Sequence, residues 1–547
     1  MKIRLFYISL GICLGSALKP AFSQHLSTLK SPVFKKDTIN VLKTGAIADG
    51  ITLNTNSINK AIESLSKRGG GVVLIPKGVW YSGPIVLKSN INLHLAEGAL
   101  LVFSDDFDQY PLVEGNWEGL PQMRNQSPIS AAQQQNIAIT GKGIIDGNGQ
   151  AWRPVKKEKL TEGQWKQLIA EGGVLTADKK MWYPSASSLK GSIEKNPGVM
   201  DGKKSAAYYA TVKDFLRPNM VLFNQCKNIY LQGVTFQNSP AWCLHPLMSE
   251  NIVVRDIKVK NPWFAQNADG IDLESCSNVL IENSFFDVGD DALCMKSGRD
   301  EAGRKRGMPT QQVTIRNSTV YSAHGGFVIG SEMSGGVKNI QVNNCSFIGT
   351  DIGLRFKTAR GRGGVVENID ISDIQMKNIP GEAILFDMYY MAKDPVPQYG
   401  EKQEMPTIEK KPLDETTPSF RNFKIRNVTC DGAEKAIFIR GLPEMAIHHL
   451  ELSNMHFKSD KGIELQEAQN IVLKDIDLDI TDPSKPVVAV DTSKISLKGV
   501  TTYQHSSRSL SQLVSMTAMS LWPDSFKLAN DKNIKWHYDQ GLSLIHI

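Results

Sequence analysis

The sequence predicts an all-β chain wound into a right-handed parallel β-helix, capped at its N-terminal end by a helix and interrupted by long loop insertions. Two observations carry that expectation. A polar residue, usually asparagine, opens a short apolar strand at Asn228, Asn251, Asn278, Gln312, Asn339, Asn368, Asn422, His449, Asn470 and Lys494, as in Asn251-Ile252-Val253-Val254. Successive copies lie 23, 27, 34, 27, 29, 54, 27, 21 and 24 residues apart, and a period in the twenties with short strands and turns marks a solenoid. Forty-five glycines and modest aromatic content suit such a chain. Strands of successive coils then stack about 4.8 Å apart around a column of Val, Ile and Leu. A sandwich of hairpins would not keep one such register through ten copies.

In chain order, residues 1–24 read as a secretory leader. Lys2 and Arg4 precede an apolar run from Leu5 to Leu18, and small residues stand at Ala21 and Ser23. The run is short for a bilayer span, and no other stretch is long and apolar enough for one. The expected mature protein is therefore exported, to the periplasm or outside the cell. Without the leader's three cations the formal charge falls from +6 to +3. A mildly basic chain without a polybasic arm fits an acidic polysaccharide and argues against a nucleic-acid partner.

The β-helix domain is expected over residues 25–500. Asn54 to Lys67 has the pattern of a helix that covers the open solenoid end, and Gly69-Gly70-Gly71 stops it before Val72-Val73-Leu74-Ile75 starts the first coils. Two stretches break the period. Residues 151–216 carry a capping-box helix start at Thr161 and Gln164, with Gly172 as its end. Residues 391–420 hold five prolines among many charges and read as a long loop. Residues 501–547 form a tail in which the pattern decays.

Six cysteines follow the leader: Cys226, Cys243, Cys276, Cys294, Cys345 and Cys430. An even count in an exported chain invites a disulfide reading. Cys226 and Cys276 each precede a repeat asparagine by two residues, with Ser249 in the same place between them. Two coils separate them by roughly 9.6 Å, beyond disulfide reach. Buried thiols are expected instead.

The chemistry gathers after the third repeat. Asn267-Ala268-Asp269, Gly289-Asp290-Asp291, His324-Gly325 and Arg355-Phe356-Lys357 sit at similar offsets from their repeat residues. Similar offsets imply similar positions on successive coils, so these groups should line one face over four coils and roughly 15 Å. Two positioned carboxyl groups of opposite protonation are what cleavage of a glycosidic bond requires. Three crowded carboxylates repel, so one should keep its proton near neutral pH. Arg355 and Lys357 would form charge-assisted hydrogen bonds with an acidic sugar.

The four motifs in this order resemble the polygalacturonases of glycoside hydrolase family 28. Lys43-Thr44-Gly45-Ala46-Ile47-Ala48-Asp49-Gly50 and Pro76-Lys77-Gly78-Val79-Trp80-Tyr81-Ser82-Gly83 are similar to that family's first coils, so the resemblance spans about residues 38–500. It implies that Asp290 is the general acid and that Asp269 and Asp291 activate water, with inversion at the anomeric carbon. It further implies that Asn267 and His324 orient the site and that Arg355 and Lys357 hold the sugar carboxylate. Ala268 and Ala323 depart from the threonine and glycine usual there, and neither change removes a reacting group. Retention of Asn267, His324, Arg355 and Lys357 favours galacturonan over rhamnogalacturonan.

Other residues keep two readings. Lys296, Arg299 and Arg304-Lys305-Arg306 are further uronate contacts or a solvated charged loop. Trp242, His245 and Trp263 stack on sugar or pack internally. Tyr389 or Tyr390 approaches from the coil after Lys357. The expected activity is hydrolysis of α-1,4 bonds in polygalacturonate by a monomer without cofactor or metal, from chain ends if the 151–216 insertion walls the cleft. The rivals are a rhamnogalacturonan or substituted-galacturonan hydrolase, a calcium-dependent pectate lyase and a non-catalytic polysaccharide-binding β-helix.

Overall fold

The computed structural model describes residues 29, 31–390, 409–482, 487–491 and 493–503, with backbone strands at 514–517, 535–539 and 542–546. The expected leader and residues 391–408 of the second insertion lie outside the described residues. The rest winds into a parallel β-helix with three stacks of strands. One stack runs from Gly71–Ile75 through Gln135–Gly141, Glu250–Arg255 and Thr310–Arg316 to Lys494–Tyr503, parallel throughout. A second holds Ala99–Phe103, Ile144–Asp146, Thr235–Gln237 and their successors. The third, from Ile129–Ala132 to Ile352–Lys357, carries the site described below.

The repeat asparagines mark a conformation as well as a register. Asn228, Asn251, Asn278, Asn339, Asn368, Asn422 and Asn470 all have φ between 55° and 58°, the left-handed region that asparagine tolerates better than most residues. Their side chains form a ladder: the Asn251 amide donates to Asn228 at 3.0 Å and the Asn278 amide to Asn251 at 3.2 Å. Each coil thus turns where a short polar side chain can bond its equivalent one layer away.

Between turns, alternation puts every second residue inside. Phe356, Phe386 and Phe423 stack in the core behind Arg355 and Lys357, with centroids 4.3–5.0 Å apart. Such offset and edge contacts pin the strand that carries the two cations. The helix Thr55–Lys67 covers the first coils and buries Ile58, Ala61, Ile62 and Leu65, one stripe at helical spacing. The capping box at Thr161 and Gln164 forms as expected. The six cysteines are free and buried, and the Ser249 hydroxyl accepts from Cys226 N at 2.9 Å.

The 54-residue gap between Asn368 and Asn422 is a single coil with an excursion, because Asp370 pairs directly with Lys424. The first insertion holds three short helices and a small antiparallel sheet. A hairpin at Leu112–Asn125 also leaves the solenoid; no Asn-Gly or Asp-Gly turn marks it in the sequence. The last strand of the main stack runs to Tyr503, three residues past the expected boundary, because the Asn-led register continues to pair. Among the described residues no helix is long and apolar enough to cross a membrane.

Candidate active site

Parallel register places the candidate catalytic groups in pairs. Ile271 pairs with Leu293, so two residues earlier Asp269 stands beside Asp291. Asp291 pairs with Gly325, so Asp290 stands beside His324. Backbone bonds agree: Gly270 N donates to the Asp291 carbonyl at 2.9 Å and His324 N to the Asp290 carbonyl at 3.1 Å. Arg355 and Lys357 lie further along their strand, since Arg355 pairs with Val328. Two residues apart, they face the same way and reach back. Lys357 Nζ is 2.7 Å from Asp291 Oδ2, and Arg355 Nη1 is 3.3 Å from its Oδ1.

Close packing of turns makes this possible. A Cβ at Gly289 would stand 2.4 Å from the Pro262 carbonyl and 2.5 Å from that of Ala265. Glycine therefore lets the Asp290-Asp291 turn approach the coil that carries Asn267 and Asp269. Asn267 has φ 55°, which turns its N–H onto Asp290 Oδ2 at 3.2 Å. Its side-chain oxygen accepts from Arg217 Nη2 at 2.8 Å. Arg217 is buried, and it also donates to the carbonyls of Pro240 and Gln266. Sequence reasoning missed Arg217, which has no motif and simply follows the long insertion.

Oxygens of Asp269, Asp290 and Asp291 lie within 4.8 Å of one another. Burial, reinforced by the charges of Asp272 and Asp290, pushes the Asp269 carboxyl well above the usual range. Burial also acts on Asp290, but the His324 hydrogen bond and charge and the Lys357 cation outweigh it and hold it at about 2. His324 Nδ1 is 3.3 Å from Asp290 Oδ1, and that bond raises the imidazole above its ordinary value. Burial thus favours the protonated form of Asp269 in the unliganded site, whereas Asp290 favours its ionised form beside an imidazole that holds its proton more tightly than usual. The reason is that Asp269 is enclosed, with one oxygen lacking any hydrogen-bond partner, while Asp290 reaches His324 at the cleft surface.

Lys296 enters the site, paired with Glu332 at 2.9 Å and Asp272 at 3.6 Å, with its ammonium 4.7 Å from the Trp242 ring centre. Asp272 is fully buried, neither oxygen has a hydrogen-bond partner among the described residues, and burial raises it to about 8. Tyr389 requires correction. It is buried, belongs to the core and stacks on Arg440 at 5.3 Å. The strand ends at Asp387, and the bend and turn that follow bring Tyr390 into the site instead, with Lys357 4.8 Å and Arg355 5.6 Å from its ring centre.

The helix Asp300–Arg306 uses much of its positive charge structurally. Arg306 binds Glu274 at 2.6 Å, Lys305 pairs with Glu301, and Arg304 donates to the carbonyls of Gly361 and Arg362. Arg299 remains on the cleft wall beside Glu118. His245 is enclosed between Asn219 and Glu274, and Trp242 is buried against Trp117. Trp263 is exposed.

A cleft at this site has two lobes that meet at Asn267 and Asp290. A lobe of about 1080 Å³ holds Asp269, Asp291, Lys296, Lys357 and Tyr390. A lobe of about 1020 Å³ holds His324, Trp263, Phe264 and lysines of the first insertion.

Residues 174–426 match the family described as Glycosyl hydrolases family 28. A probable polygalacturonase of Vitis vinifera is 31% identical over 345 residues, 61% of this chain and 60% of that protein. An exo-poly-alpha-D-galacturonosidase of Dickeya chrysanthemi is 29% identical over 76% of this chain and 67% of its own length. The chain thus spans about three fifths to two thirds of those two relatives. Among solved structures, a hyperthermoactive exopolygalacturonase from Thermotoga maritima superposes with a TM-score of 0.65 at 30% identity, covering 88% of this chain and 95% of that one. Sequence motifs, coil geometry and relatives agree, and this chain belongs to family 28 of the glycosyl hydrolases.

Proposed function

We propose that this chain hydrolyses α-1,4 bonds between galacturonate units of polygalacturonate, working from chain ends. The observation that carries this is the convergence of Arg355, Lys357 and Tyr390 on three carboxyl groups whose oxygens lie within 4.8 Å. A uronate carboxylate meets two cations there, and its ring meets an aromatic face. The likeness to relatives named for exo action supports attack at ends. So do the walls of the first lobe, which include Glu118 of the hairpin, Asn196 of the first insertion and Lys411 to Thr417 of the second.

In this reading Asp290 and His324 act as one acid. A substrate that fills the cleft removes water from the pair and adds its own negative charge, and both changes raise Asp290. The proton held by His324 then passes to Asp290 and on to the leaving oxygen. Asp269 and Asp291 together activate the water: Asp269, which favours its protonated form, orients it, and Asp291 takes its proton. Asp291 is held by Lys357 and Arg355, so a substrate carboxylate competes for those cations and frees the Asp291 oxygens to meet the water. Crowded carboxyls sit below the ~6.5–9.5 Å usual for inversion, so inversion rests on the family resemblance. Proton NMR of the first product tests it: the β-anomer is expected, and the α-anomer means retention.

The test of function is a time course on de-esterified polygalacturonate with chelator present, products resolved by length. Wild type should release saturated mono- or digalacturonate from the start, and Asp290→Asn should lower kcat by about 10²–10⁴-fold. An early ladder of random lengths overturns exo action. Unsaturated products that vanish with chelator point to the lyase. Activity only on rhamnogalacturonan moves the substrate.

A further inference from the structure

The second lobe contains a feature that the chemistry above leaves unused. Trp263 is 61% exposed and Phe264 is 46% exposed, side by side at the rim with ring centres 5.8 Å apart. Large aromatic side chains rarely stay in water without a partner surface. Lys159, from the first insertion, places its ammonium 4.6 Å from the centre of the Trp263 ring. Among the described residues no carboxylate lies within ion-pair distance of Lys159, and Lys156 next to it has only an exposed Glu158 at 3.8 Å. All four residues line the lobe that begins at Asp290 and His324.

We infer that Trp263 and Lys159 form a second uronate subsite, holding the sugar across the scissile bond from the one bound by Arg355, Lys357 and Tyr390. The inference rests on the hydrolysis reading. The scissile bond lies at Asp290, where the lobes meet, so a chain bound in the first lobe continues into the second. A pyranose ring offers an apolar C–H face to the indole, and its carboxylate pairs with the ammonium that otherwise rests over that ring. The first lobe repeats the same pairing, with cations 4.8 Å and 5.6 Å from the Tyr390 ring centre. Aromatic face plus cation is thus used on both sides of Asp290. Lys159 and Lys156 come from the first insertion and Trp263 from a turn of the solenoid, so the insertion completes this subsite.

The test measures binding without turnover, by calorimetry on Asp290→Asn with saturated galacturonate oligomers of two to five units. Affinity should rise with length in that parent. Adding Trp263→Ala should weaken every one of these oligomers about 5- to 10-fold, since a dimer already spans the scissile bond, and Trp263→Tyr should restore most of the affinity. Lys159→Gln should cost a smaller factor that disappears at high salt, as a solvent-exposed charge contact does. Both side chains are at the surface, so these variants fold. Unchanged affinity at every length in Trp263→Ala overturns the subsite while hydrolysis stands. A parent that binds no oligomer overturns the polygalacturonate reading and the subsite with it.

Discussion

The two lobes on either side of Asp290 use similar residue types in opposite ways. In the first, charges are buried and already matched: Lys357 and Arg355 hold Asp291, and Lys296 bridges Glu332 and Asp272. In the second, Trp263 stands exposed beside Phe264 with the Lys159 ammonium over its ring, and among the described residues no carboxylate pairs with that lysine. A buried ion pair is costly to break, because the partner left behind keeps a charge that water cannot solvate. An exposed cation on an aromatic face contributes little to folding and is available to a ligand. The first lobe is therefore bound into the stability of the solenoid, while the second is open to change without penalty.

The sharpest way to break that contrast is to remove Lys357. Lys357→Met leaves Asp291 buried with Arg355 alone, and should destabilise the fold by about 3–5 kcal/mol while lowering kcat/KM steeply. Trp263→Ala should stay within about 0.5 kcal/mol of wild type, as surface substitutions do. Denaturant titration of both variants decides it, and equal losses would mean that the lobes do not differ in this way.

A smaller effect concerns the boundary itself. Asp290 and His324 face each other across it, and the pair raises His324 above its ordinary value of 6.5. A group with a raised pKa is protonated below it, so the pair is intact at acid pH and lost as pH rises through the raised value. Activity should accordingly fall on an alkaline limb whose midpoint lies above 6.5. His324→Gln should lower kcat by about 10²-fold and displace that limb. An alkaline limb unchanged in the variant would show that His324 does not supply the proton.

The smallest effect separates the aromatic faces. Tyr390→Ala should raise KM about 5- to 10-fold with kcat less affected, and Tyr390→Phe should behave nearly as wild type. Tyr389→Phe, in the core, should change neither constant. A larger kinetic effect from Tyr389 than from Tyr390 would reverse the assignment.

Much of this was legible in the residues. Asn-led strands at a period in the twenties specify a stacked coil, because only a repeated turn and an alternating strand satisfy both the left-handed asparagine and the apolar column. Asp269, Asp290, Asp291 and His324 were legible too, since they flank strand starts and a constant coil places such positions together. Tyr389 and Tyr390 were not separable, because the bend after Asp387 ends the strand's alternation and leaves Met388 and Tyr389 both inside. The Leu112–Asn125 hairpin lacked a diagnostic turn, and Arg217 carried no signal because its partners are carbonyls of two separate coils.

The sequence by itself determined the coil, the order of the reacting groups and the acidic character of the ligand they suit, since each follows from residue type and spacing along the chain. Only the tertiary structure decided which carboxyl keeps its proton, that Lys357 and Arg355 close on Asp291, and that the insertion brings Lys159 to Trp263. Those outcomes depend on burial and on distances between residues remote in sequence, and desolvation and Coulomb energy respond to position in space, not to position along the chain.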